Sequence, residues 1–213
     1  MENKVYSISY AKNPAITVHV TPGHFTTSNA HTNNFLDVNV LKSNVMLAQD
    51  TARELAIPYL SSTLVDTIVC IERMDIIGAY LAQELLRDGT SVINSGNTIN
   101  VLSPMTNAYG NLVFPSNMIS CISGKNILLL VASISSGRAL SRVIECVAYY
   151  GGSLCGISAL YLASASSESV INALFTSEDI PGYKLYQTQE CEMCKNGIKL
   201  DGIISSEGYT KIE

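Results

Sequence analysis

Tryptophan is absent, charged residues make up only 15% of the chain, and no histidine occurs after position 31. The shortage of charge is also local. No Lys, Arg, Asp or Glu lies between Asp88 and Lys125, and none between Lys125 and Arg138. A net charge of −5 and a pI near 5.2 exclude the basic face that a nucleic-acid partner requires. No apolar run approaches the roughly 18 residues of a membrane span, and residues 1–14 lack the apolar core of a signal peptide, so the expected compartment is the cytoplasm. Six cysteines are too sparse for a disulfide framework. Cys70, Cys121, Cys146 and Cys155 fall in apolar patterns, where a reduced thiol is a small core residue. So little charge also leads us to expect a self-associating surface.

What is present is enough apolar residue, 47% of 213, to bury one good core. Its centre is the stretch 125–151. Ile127 to Ala132 is an unbroken apolar run with the length of a strand covered on both faces. From Ala139 the spacing changes to Leu140, Val143, Ile144, Val147 and Ala148, the helical period, and Gly151-Gly152 supplies a left-handed stop. The intervening Ser133 to Arg138 is a short polar loop entering a helix. Such a loop leaves several backbone N–H groups without acceptors, and Ser135, Ser136 and Gly137 add hydroxyls and room for close backbone approach. The arrangement has the outline of a phosphate site, with Arg138 placed for a charge-assisted bond; it is equally that of an ordinary serine-rich turn.

Around this unit the chain alternates strands and helices. Residues 4–10 and 16–20 alternate loosely, as short strands do, and Thr21 to Thr32 is polar and irregular, as in an ordered lid. Ser43 or Asn44 caps a helix from Val45 to about Ile57. Val65 to Ile71 reads as a buried strand, Glu72 to Asp75 as a polar connection and Ile76 to Leu86 as a helix. Shorter strands are expected near 91–93, 98–102, 112–114 and 118–121, and a longer one at Ser153 to Leu162. The asparagines scattered from 94 to 117 read as turn residues rather than ligand contacts. This alternation predicts an α/β fold with a mostly parallel sheet flanked by helices and a ligand crevice beyond the carboxyl ends of its strands.

Near the C-terminus, Cys191-Glu-Met-Cys194-Lys-Asn-Gly197 is a CxxC followed by a turn glycine. It supplies two of the four ligands of a structural zinc, so a metal there needs a remote or neighbouring-subunit pair. A redox pair and a plain loop with two thiols are the other readings. His19, His24 and His31 cannot be assembled by spacing into a zinc set or a catalytic triad.

Four segments, in order, resemble the type I phosphoribosyltransferases, and among them the orotate enzymes. Ser28-x-x-His31-Thr32-x-x-Phe35-x-Asp37 is similar to their hood segment, Val65 to Ala82 to their strand, pyrophosphate loop and helix, Gly124 to Tyr161 to their strand, phosphate loop, helix and next strand, and Cys191-x-x-Cys194-x-x-Gly197 to a C-terminal pattern of some members. The resemblance implies a hood at 1–42, an α/β core at 43–186 and a C-terminal segment at 187–213. It implies a homodimer, phosphoribosyl pyrophosphate or a nucleoside monophosphate as ligand, and magnesium in an active member. Ser133, Ser135, Ser136, Gly137, Arg138 and Ala139 would hold the 5′-phosphate, with Phe35 and Arg73 on the base and pyrophosphate side. The chain departs from the family wherever the family uses charge. Val131 and Ala132 replace the acidic pair that holds the ribose hydroxyls, Met74 and Asp75 fall at the basic and glycine positions of the pyrophosphate loop, and residues 97–117 contain no Lys, Arg or His. The expectations are therefore transfer of phosphoribose to a pyrimidine base such as orotate, or a non-catalytic nucleotide- or phosphate-binding regulatory protein, or a structural dimer.

Overall fold

A computed structural model describes residues 4–88, 92–109, 111–135, 137–163, 171–205 and 208–212. The chain begins with strands β1 (Tyr6–Tyr10), β2 (Asn13–Thr26) and β3 (Ala30–Asp37), then helices α1 (Asn39–Ser43) and α2 (Val45–Ala56). Next come β4 (Thr67–Cys70), α3 (Asp75–Leu85) and the short strands β5 (Asn100–Leu102), β6 (Met105–Thr106) and β7 (Leu112–Val113). The central unit is β8 (Asn126–Ile134), α4 (Arg138–Tyr149), β9 (Ser153–Leu162) and β10 (Ile171–Thr176). The last elements are β11 (Leu185–Gln187), α5 (Glu192–Lys195), β12 (Gly202–Ser205) and β13 (Gly208–Lys211).

One sheet is parallel throughout, in the order β10-β9-β8-β4-β5. Because side chains alternate along a strand, β8 feeds two cores. Leu128, Leu130 and Ala132 join Ala48, Leu55, Ile77 and Leu81 of α2 and α3 on one face, while Ile127, Leu129 and Val131 join Leu140, Val143 and Val147 of α4 on the other. Burial on both faces is why this strand reads as an unbroken apolar run. Asn44 caps α2, its side-chain oxygen accepting from the N–H groups of Met46 and Leu47 at 3.0 and 3.2 Å.

The second sheet runs β11-β3-β2-β12-β13, with β1 also on β2. This second sheet, here termed the hood, draws strands from both ends of the chain: β12 lies parallel to β2, pairing Gly202 with Phe25 and Ile203 with Thr26. Tyr209 of β13 secures it, its ring centroid 5.0 Å from that of Phe25 and 4.9 Å from that of Phe35.

Three expectations need correction. Residues 21–32 are not irregular: they form the end of β2, a tight turn held by Thr27 Oγ1 accepting from Ala30 N–H at 3.0 Å, and the start of β3. Their alternation is hidden because a bulge interrupts the pairing between Pro22 and Phe25 and because His24, His31 and Thr32 are buried although polar. Residues 116–121 form a 3-10 turn instead of a strand, fastened by Thr67 Oγ1 donating to the Cys121 carbonyl at 2.6 Å. Val92 and Ile93 are not a strand; the neighbouring Asn94 is fully buried and braces the backbone, accepting from Val65 N–H and donating to the Thr63 carbonyl. Among the described residues no helix is long and apolar enough to cross a membrane.

Candidate functional site

β8 delivers the chain to the crevice and α4 carries it away. Between them Gly137 takes a left-handed φ of 75° as the residue before α4, with no side chain capping the helix. The first-turn amides of α4 have no partners within the helix. A Cβ on Gly137 would meet nothing within 4 Å, so the loop borders open space. Ser133 is exposed, and Ser135 and Gly137 are half-buried. Ser136 and the side chain of Arg138 lie outside the described residues.

Two adjoining cavities separate the hood from the carboxyl ends of the parallel strands. The larger, about 350 Å³, is lined by Thr27, Glu72, Ser133, Ser135, Gly137 and Ser205 among others. The smaller, about 90 Å³, is lined by Phe35, Lys42, Ala132, Tyr161 and Tyr183 among others. Both are bounded by core and hood together, and Ile204 and Ser205 of β12 line each. Phe35, expected beside a base, does line the smaller cavity, although Phe25 and Tyr209 already pack its ring.

Sequence reasoning did not single out Lys42, Glu72 or Tyr161. Lys42, from α1, is 6% exposed, and its Nζ donates to the Glu72 carbonyl at 3.1 Å. Glu72 and Arg73 sit consecutively at φ 60° and 61°, a region side chains with a Cβ rarely adopt. That geometry turns the Glu72 carboxylate across to the main loop, where Oε2 accepts from Ser133 N–H at 2.9 Å. Burial pushes the Glu72 carboxyl above the usual carboxylate range, opposed by that N–H and by the Lys42 ammonium. Arg73 is exposed beside it. Tyr161, paired with Ser133 across β8 and β9, has a buried hydroxyl with no hydrogen-bond partner among the described residues, and burial, then neighbouring Tyr183, hold its phenol far above the ordinary range.

The magnesium implied by the family resemblance does not fit this donor set. A hard cation needs several oxygens. Positions 131 and 132 are buried Val and Ala, and Glu72, already engaged, is the one carboxylate lining either cavity among the described residues.

Away from the crevice, the CxxC meets two of the three histidines. His24 Nε2 lies 3.0 Å from His31 Nδ1, 3.4 Å from Cys191 Sγ and 3.7 Å from Cys194 Sγ, and Cys194 Sγ lies 3.3 Å from His31 Nδ1. His24, His31 and Cys191 are buried, Cys194 exposed. Burial, and then the His24 ring, hold the His31 imidazole below its ordinary pKa. Spacing could not reveal this group because its two halves, ending at His31 and beginning at Cys191, lie 160 residues apart.

Among solved structures, the UMP synthase of Leishmania donovani superposes with a TM-score of 0.55 at 17% identity, over 76% of this chain and 34% of that one. This chain therefore spans about a third of that protein. The adenine phosphoribosyltransferase of Thermoanaerobacter pseudethanolicus gives 0.49 at 13% identity, covering 81% and 95% of the two chains. The orotate phosphoribosyltransferase of Mycobacterium tuberculosis gives 0.48 at 11%, covering 70% and 80%. No protein-family model and no curated sequence matches the chain. What is shared with the Leishmania protein is the fold.

Proposed function

We propose that this chain, with the α/β fold of a UMP synthase, binds the 5′-phosphate of a ribose, carried by a nucleoside monophosphate, at Ser135 to Ala139. The carrying observation is the Gly137 turn: a left-handed residue that opens onto a cavity and presents the amides of a 12-residue helix, where an anion is favoured by about 0.3–1 kcal/mol from the dipole plus stronger charge-assisted hydrogen bonds. Tyr161 and Phe35 line the smaller cavity and offer a largely aromatic wall for the remainder of the ligand.

The same crevice is poorly equipped to transfer phosphoribose. Departure of pyrophosphate from a cation-like ribose needs concentrated positive charge, and the loss of one such contact typically costs about 2.7–4 kcal/mol of transition-state stabilisation. Here Val131 and Ala132 stand in place of the family's acidic pair, and Glu72 adds a carboxylate to the wall of the cavity. Binding without turnover is therefore our reading. Transfer to a pyrimidine base, favoured by the resemblance to orotate enzymes, is the second.

Calorimetric titration with uridine monophosphate and ribose 5-phosphate tests the first. Orotate absorbance, followed with phosphoribosyl pyrophosphate and magnesium, tests the second. Binding alone supports the module, turnover replaces it with the enzyme, and neither removes both.

A further inference from the structure

We infer that His24, His31, Cys191 and Cys194 hold one zinc ion, in a closed structural site that fastens the C-terminal segment to the hood. The donor atoms all lie within 4.8 Å of one another. Zinc bonds of about 2.0–2.1 Å to nitrogen and 2.3 Å to sulfur make the edges of a tetrahedron about 3.3–3.8 Å. Four of the separations between donor atoms, from 3.0 to 3.7 Å, fall close to those edges.

Hydrogen bonding alone does not account for the cluster. His24 Nδ1 lies 2.9 Å from the Ile198 carbonyl, which can only accept, so Nδ1 carries the proton and Nε2 presents a lone pair. Three groups crowd that single lone pair: His31 Nδ1 and two sulfurs. One of them can donate to it well. A cation at the centre satisfies all four ligands at once, and the Ile198 carbonyl becomes the outer partner that fixes the ring.

The backbone is shaped for the same end. Cys191 precedes α5, and its carbonyl accepts from Lys195 N–H at 3.1 Å; the Cys194 carbonyl accepts from Gly197 N–H at 3.0 Å, with Gly197 at φ 70°. This tight turn brings both sulfurs to one side. Asp201 then grips His24 from the far side, its carboxylate accepting from His24 N–H and its own N–H donating to the His24 carbonyl, each at 2.7 Å. Two thiolates and two imidazoles suit a soft or borderline ion and reject magnesium or calcium. Four protein ligands leave no position for substrate. None of the four lines either crevice cavity, so the site stands whether or not the crevice binds a nucleotide.

The full-length protein, purified without chelator and analysed by elemental mass spectrometry, should carry one zinc per chain. Cys194→Ser and His31→Ala should each lower that by at least about tenfold, while Cys146→Ser, outside the cluster, should leave it unchanged. Cobalt(II) exchanged into the unmutated protein should give the intense visible bands of a tetrahedral site together with thiolate charge transfer, a readout independent of how the variants fold. Removing zinc should lower the melting temperature by on the order of 10 °C. A metal-free preparation that takes up no cobalt, a weak octahedral cobalt spectrum, or zinc retained in Cys194→Ser would each overturn the assignment.

Discussion

At Glu72 two demands meet. Its carboxylate satisfies the Ser133 amide and steadies a left-handed backbone, yet it faces the cavity in which we place an anion. Glu72→Gln keeps an acceptor for that amide and removes the charge, so phosphate or ribose 5-phosphate affinity should rise, on the order of tenfold, in calorimetry. A pH effect accompanies it. Because burial raises the folded-state pKa of Glu72, its contribution to stability is fully present below the ordinary carboxylate pKa and disappears as pH rises through the raised value. Urea melts of the two proteins should therefore converge at low pH and separate across that window, with the glutamine variant the more stable above it. Parallel curves would remove the buried-carboxylate account.

Gly137 offers a second test at the same scale. Gly137→Glu puts bulk and negative charge into the cradle and should abolish binding. Gly137→Asn, a residue that tolerates left-handed φ, should retain the fold and lose less affinity. Equal affinity in the glutamate variant would move the ligand elsewhere.

Among the elements, β12 depends on a single glycine. A Cβ on Gly202 would come within 2.7 Å of the Tyr209 ring and 2.8 Å of the Thr210 carbonyl, and a backbone oxygen cannot swing aside as a side-chain end can. Gly202→Val should cost about 1–3 kcal/mol in urea unfolding and should speed hydrogen exchange in β12 and β13 before it affects the parallel sheet. Uniform exchange across the molecule would contradict this.

The elements also differ in how far they could be read from residues. β8, α4 and α2 were legible because burial on both faces, helical spacing and the Asn44 cap each leave a local trace in sequence. The hairpin of β2 and β3 was not, since a bulge breaks its pairing between Pro22 and Phe25 and some of its buried side chains are polar: His24 and His31 meet the distant CxxC, and Thr32 donates to the Asn34 carbonyl. Lys42 and Glu72 left no trace either: a lone charge on a short helix or in a connection looks solvated until tertiary packing buries it.

For the whole molecule, the crevice belongs to neither sheet alone, because Ser133 and Ser135 line it from the core and Ser205 from the hood. A bound ribose 5-phosphate should thus slow exchange both at 133–139 and at 202–205, and at a hundred times its Kd should stabilise the fold by about 2.7 kcal/mol. Protection confined to the core would show that the hood is not part of the site.

The placement of Ile204 and Ser205 also bears on inheritance of damage. A premature stop codon between Gln187 and Ile204 would spare every strand of the parallel sheet yet strip one side from the crevice. Such late lesions would mimic loss of the loop at Gly137, although they fall in a stretch that contributes nothing to the parallel sheet.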